Sequence, residues 1–114
     1  MNPASRSWRI IYFKSRKGEI PFQDWLSKLR DPIARAKIRT RFRRMELGNF
    51  GIYKILNEGV CELKFSNGPG YRVYFSFWKN EIILLLAAGD KSTQSADIEF
   101  AIKNLKEHKN APRN

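Results

Sequence analysis

At Ile52 the spacing of apolar residues changes from a helical period to an extended one, and this switch limits the fold more than any other feature of the sequence. Upstream, Phe22, Trp25, Leu26 and Leu29 recur at helical spacing behind Pro21. A proline suits a first helical position because its missing N–H would be unpaired there anyway. Ala34, Ile38, Phe42 and Met45 make a second stripe, opened by Asp31 as N-cap with Pro32 behind it and closed by Gly48 in a left-handed cap. The two helices read as a hairpin joined at Arg30-Asp31. Downstream, residues 52–56, 60–65, 71–78 and 82–88 alternate as strands. Their connections, Asn57-Glu58-Gly59, Ser66 to Gly70 and Lys79-Asn80, are short enough to make the strands antiparallel neighbours.

Residues 8–14, rich in branched and aromatic side chains, add an N-terminal strand. A last helix runs from Ser92 to Glu107 with Ile98, Ala101, Ile102 and Leu105 as its stripe. The order predicts an α+β domain: an N-terminal strand, a two-helix hairpin, an antiparallel four-stranded meander and a C-terminal helix. The apolar run Ile82 to Leu86 suits a central strand covered on both faces. With 114 residues the chain is a single domain, residues 1–7 and 109–114 reading as ragged ends. Cys61 stands alone, so neither an internal disulfide nor a zinc cluster is expected, and nothing calls for a cofactor or metal. No secretory signal opens the chain, and the longest apolar stretch, Ile82 to Gly89, is too short to span a bilayer. A soluble, cytoplasmic protein is expected, with no membrane partner.

Lys plus Arg is 22 against 11 acidic residues, a net charge of +11. Self-repulsion of that size in so small a domain points to a polyanionic partner, RNA above all. The second helix carries Arg35, Lys37, Arg39, Arg41, Arg43 and Arg44, and only Asp31 and Glu46 are acidic between Asp31 and Leu47. Arg35, Arg39 and Arg43 step by four, so one exposed basic face is expected as a phosphate track, extended by Lys54 on the following strand.

Strand alternation locates a second candidate site. The five-residue loop sets Phe65 opposite Tyr71, hence Lys64 opposite Arg72 and Glu62 opposite Tyr74, all on one polar face. Two facing cations cost stability unless an anion bridges them or both splay into solvent. His108, expected on the surface, is the one histidine, which excludes a two-histidine ribonuclease. No carboxylate trio has metal-ligand spacing, so two-metal hydrolysis is not expected. Metal-free RNA cleavage fits the remaining groups. Glu62 could be the base, Lys64, Arg72 and Lys91 could hold the phosphate, and Tyr74 or a lysine could be the acid. On sequence chemistry alone, Glu62 reads first as a charge partner of Lys64 and Arg72, because structural ion-pair networks also collect such residues.

Five segments together resemble the RelE/ParE superfamily of type II toxins, in its HigB-like, phage Gp49-like branch. They are Pro21-Phe22-Gln23-Asp24-Trp25-Leu26, Glu46-Leu47-Gly48-Asn49-Phe50-Gly51, Val60-Cys61-Glu62-Leu63-Lys64, Gly68-Pro69-Gly70-Tyr71-Arg72-Val73-Tyr74 and Ala88-Gly89-Asp90-Lys91-Ser92-Thr93-Gln94. The resemblance spans residues 8–106 and implies a β-α-α-β-β-β-(β)-α fold. It implies a toxin held by a helix-turn-helix antitoxin, and a metal-independent endonuclease that cuts mRNA on the ribosome. Motif by motif, the family's basic strand residue falls on Lys64, its Gly-Tyr-Arg arginine on Arg72, and its basic residue after the last strand on Lys91, preceded by Asp90. Glu62 stands where some members carry a basic residue, and the last-helix tyrosine of some relatives has Asp97 and Phe100 near its place. The resemblance leaves two other readings open: a gyrase-targeting, ParE-like toxin without nuclease activity, and a non-catalytic phage-derived binding module.

Overall fold

The computed structural model describes residues 7–66 and 68–112; Asn67 and the ends at 1–6 and 113–114 lie outside the described residues. The expected element order holds. Strand β1 (Arg9–Tyr12) is followed by α1 (Pro21–Lys28) and α2 (Pro32–Glu46), then β2 (Lys54–Ile55), β3 (Cys61–Phe65), β4 (Tyr71–Trp78) and β5 (Ile82–Gly89). A 3-10 turn, Lys91–Thr93, leads into α3 (Gln94–Asn110). The sheet order is β1-β5-β4-β3-β2. It is mixed rather than a plain meander, because β1 lies parallel to β5 while the other neighbours are antiparallel. The crossover from β1 through both helices and the hairpins lets the first strand close the edge beside the last.

Boundaries differ where pairing decides them. The strand expected at residues 52–56 pairs only at Lys54–Ile55, and β1 is four residues rather than seven. The last helix runs past Glu107 to Asn110, so residues 109 and 110 are not a ragged tail. His108 is not a free surface residue: its ring sits edge-on to Trp78 at 4.7 Å and Phe13 at 6.4 Å.

Helix α2 shows why its sequence specifies its ends. The Asp31 carboxylate accepts from the N–H groups of Ile33 and Ala34 at 3.1 and 3.0 Å, satisfying donors the helix itself cannot. At the other end Gly48 takes φ +87°, and Asn49 N–H donates to the Arg44 carbonyl while Gly48 N–H donates to that of Met45. This paired closure needs a left-handed residue at Gly48.

Two cores lie on opposite faces of the sheet. Helices α1 and α2 cover Phe22, Ile38, Met45, Leu63, Val73, Phe75, Ile83 and Leu85, with Cys61 among them. Helix α3 covers Phe13, Val60, Tyr74, Leu84, Leu86, Ala87, Ala101 and Leu105. Residues 83–87 of β5 are buried between the two, as a central strand should be. The β4–β5 ladder is not uniform: Tyr74 opposes Ala87 but Phe75 opposes Leu85, so Leu86 is an extra residue in a bulge. Its carbonyl accepts from the buried Asn104 side chain of α3 at 2.9 Å, a replacement for the ladder bond that the bulge removes.

Candidate functional site

The ladder puts the polar side chains in two rows on the α3 face. Lys54, Glu62, Tyr74 and Ala87 form one row, and Lys64, Arg72 and Gly89 the other. The bulge at Leu86 matters here, since it shifts the alternation of β5 by one and brings Ala87 and Gly89 onto this face. The first turns of α3 then close over the rows. Glu62 is 6% exposed, Arg72 5% and Tyr74 0%, whereas Lys64 and Lys54 stand in solvent at the rim. Facing cations are therefore accommodated asymmetrically: Lys64 turns outward and Arg72 turns in.

Arg72 is held by Nη1 donating to the Gly70 carbonyl at 2.6 Å, and its Nε lies 3.9 Å from Glu62 Oε2. Gly70, at φ +75°, has no side chain to interfere; a Cβ there would come within 3.0 Å of the guanidinium. Glu62 Oε2 also accepts from Gln94 Nε2 at 2.9 Å, which fixes the carboxylate against α3. The charge-partner reading of Glu62 is thus realised toward Arg72, with Gln94 as a third member that the sequence motif contained without disclosing its role.

Two buried donors are left over. Neither Arg72 Nε nor the Tyr74 hydroxyl has a hydrogen-bond partner of normal geometry among the described residues. Burial raises the Tyr74 pKa well above that of a free phenol, the nearby Glu62 and Asp97 carboxylates raise it further, and Arg72 opposes them. Tyr74 is therefore a phenol at neutral pH, able to donate and unable to act as a base.

Asp97 joins the cluster from α3. Its Oδ2 accepts from Thr93 Oγ1 at 2.6 Å and lies so close over Gly89 that a Cβ there would be 1.9 Å away. Burial lifts the Asp97 pKa, outweighing the Thr93 hydrogen bond, and Asp90 lifts it further. Asp90 behaves in the opposite way. Its Oδ1 accepts from Ser92 Oγ at 2.5 Å and from Ser92 N–H at 2.8 Å, which lowers its pKa and caps the turn carrying Lys91. Lys91 itself is exposed, with its backbone N–H on the Pro69 carbonyl at 3.3 Å. The structure so gathers Glu62, Lys64, Arg72, Tyr74, Asp90 and Lys91 around one end of the sheet. The sequence had left Thr93 unexamined, although its spacing of four from both Gly89 and Asp97 was readable.

The basic helix is divided rather than continuous. Arg35 is not on an exposed track: its Nη1 donates to the Leu26 and Leu29 carbonyls at 2.5 and 3.1 Å, ending α1. Arg41 donates to the carbonyls of Phe50 and Ile52 and holds that loop, with Gly51 at φ +64° packed against its guanidinium. Burial, and then Arg44, lower its pKa. The exposed cations fall on two sides of α2. Lys37, Arg41 and Arg44 line a hollow of about 330 Å³ with Phe65. Through Arg41 this adjoins a cleft of about 500 Å³ lined by Ile52, Tyr53, Lys54, Glu62, Lys64 and Ser66. Arg39 and Arg43 face away, toward β1.

Among the described residues, no three His, Cys, Asp or Glu side chains gather to hold a metal ion, and no helix is long and apolar enough to cross a membrane. Residues 24–106 match the family model described as phage derived protein Gp49-like. A Haemophilus influenzae protein, described only as an uncharacterized protein, is 46% identical over 85 residues, which cover 75% of this chain and 86% of the relative. Matched by the family model over most of its length, this protein belongs to the phage-derived Gp49-like family, a RelE-like, toxin-like family.

Proposed function

We propose that the protein is the toxin of a type II toxin–antitoxin pair, in the HigB-like branch, and that it cleaves mRNA on the ribosome without a metal ion. The observation that carries this reading is that Glu62 lines one cleft with exposed Lys64 and Lys54, with buried Arg72 and Tyr74 directly behind Glu62 on the next strand. A polyanionic chain would meet the lysines first and present a single phosphate to the inner groups. Glu62 takes the proton of the ribose 2′-hydroxyl as its oxygen bonds to phosphorus. The bond from phosphorus to the 5′-oxygen breaks, and that oxygen is protonated by Tyr74 or a cluster lysine. Arg72, with Lys64 and Lys91, stabilises the charge that builds on the phosphoryl oxygens. Asp90 acts at one remove, by capping the turn that presents Lys91. Structured RNA is gripped by Lys37, Arg44 and Lys54, while Arg35 and Arg41 serve the fold. The site of action is the cytoplasm, and the partner that restrains it is a helix-turn-helix, HigA-like antitoxin.

The test is tightly controlled expression with mapping of mRNA 5′ ends. In-frame cuts are expected from the parent chain and none from Arg72→Ala, with Arg72→Lys retaining part of the activity as a folded control. Growth arrest with a DNA-damage response and no cuts would move the protein to the gyrase-targeting class. Full cutting by a folded Arg72→Ala variant would overturn the site.

A further inference from the structure

The side of α2 that turns away from the cleft forms a second groove with a different chemistry. It encloses about 680 Å³ between the outer edge of β1 and the helix, lined by Ile10, Ile11, Tyr12 and Phe42 with Arg39, Arg43 and Glu46 at the wall. Its floor is the rim of the sheet, because β1 is an edge strand. In the parallel ladder to β5, Arg9 N–H donates to Glu81 and Phe13 N–H to Leu85, so residues 9, 11 and 13 point inward. The N–H and C=O groups of Ile10 and Tyr12 therefore point outward, and no backbone or side-chain partner takes them among the described residues. Edges of this kind are ordinarily blunted by charge, proline or a bulge. From Ile10 to Tyr12 this one has no charge and no proline.

We infer that this groove receives an extended, acidic and apolar segment of a partner protein, which adds to the sheet as a strand beside β1. The outward backbone groups select a polypeptide, since a polynucleotide has no ladder of N–H and C=O groups to offer. The alternation of an added strand puts one set of side chains against the apolar lining near Phe42 and the other outward. Arg39 and Arg43 outnumber Glu46 at the wall and favour acidic side chains, and the +11 charge of the whole chain draws an acidic segment and repels a second copy. The groove is separate from the cleft at Glu62 and Lys64, which lies on the opposite side of α2.

A labelled, end-blocked peptide of alternating glutamate and valine, titrated against the intact protein by fluorescence anisotropy, tests it. Hydrogen exchange at the Ile10 and Tyr12 amides is followed in the same samples. Binding is expected, with slowed exchange at both amides. It should weaken about tenfold in the double variant R39E/R43E, as reversal of two rim charges implies. It should be lost when proline interrupts the peptide, and should change little in K37E/R44E. Absence of binding, or binding indifferent to the proline or to R39E/R43E, would overturn the inference. So would a ribo-oligonucleotide that slows the same two amides, or a homodimer that buries them without peptide. Either failure leaves the mRNA-cutting test standing on its own result.

Discussion

Under α1 and α2 the sheet buries Phe22, Leu63, Phe75 and Leu85 among further apolar side chains; under α3 it buries Glu62, Arg72, Tyr74, Ser76 and Asn104 as well. Both faces are equally dry. On the first, any side chain of suitable volume contributes by leaving water, and the rings of Phe22, Phe42, Tyr12 and Trp25 pack edge-on or tilted without further demand. On the second, each polar group needs a partner in a particular place, and a missing partner costs more than a missing methylene. The α3 face therefore contributes less to stability than its burial suggests and holds a geometry that oil-like packing could not. That is the expected signature of a face kept for chemistry.

The difference should be plainest at Phe22, which is fully buried on the apolar face. Phe22→Ala should lose about 3–5 kcal/mol of unfolding free energy, since removing a buried ring loses its transfer energy and leaves a cavity. Denaturant titration at pH 5 and pH 8 should give the same loss, because no carboxylate lies among its ring neighbours Tyr12, Trp25 and Phe42. A loss that changed markedly between the two pH values would mean that the two faces are coupled.

A smaller effect belongs to Gly89. Its backbone does not take the left-handed conformation, and the nearest obstacles to a side chain are Asp97 and then Thr93. Gly89→Ala should cost about 1–3 kcal/mol, as overpacking does. The double variant Gly89→Ala/Asp97→Ala should recover most of it, because the two residues occupy one space. Additive losses in the double variant would show that α3 is not seated through Asp97.

How legible these features were depended on the interactions that set them. The helix 32–46 declared its ends, because Asp31 and Gly48 act on their own neighbours. The pairs Lys64–Arg72 and Glu62–Tyr74 followed from a five-residue loop and strict alternation. The bulge at Leu86 did not, since nothing in Leu84-Leu85-Leu86-Ala87 marks where a ladder slips; the Asn104 side chain that compensates comes from a helix 18 residues away. The parallel seat of β1 also depends on a contact between distant strands. Among the arginines of α2, spacing placed Arg35, Arg39 and Arg43 on one face, yet Arg35 is drawn inward by the open carbonyls at the end of α1. Local rules locate side chains on a face. Which of them face solvent is settled by neighbouring elements, and for Glu62 and Arg72 the neighbour is α3.

The smallest effect separates two carboxylates at that neighbour's start. Asp97 has a folded pKa above its ordinary value, mainly from burial, so across the window above the ordinary aspartate value the folded state holds more proton than the unfolded one. Its contribution to stability therefore falls as pH rises through that window. Asp90 has a folded pKa below its ordinary value, mainly from the Ser92 hydroxyl, so its contribution is present above the unfolded pKa and is lost as pH falls through the folded one. Thermal unfolding between pH 3 and pH 7 should show this directly. Asp97→Asn should gain on the parent as pH rises, whereas Asp90→Asn should lose on it over the same rise, and both differences should be small because both groups keep access to water. Parallel slopes for the two variants would mean that Asp97 is solvated like Asp90, and that the first turn of α3 does not close over the Glu62–Arg72–Tyr74 cluster in solution.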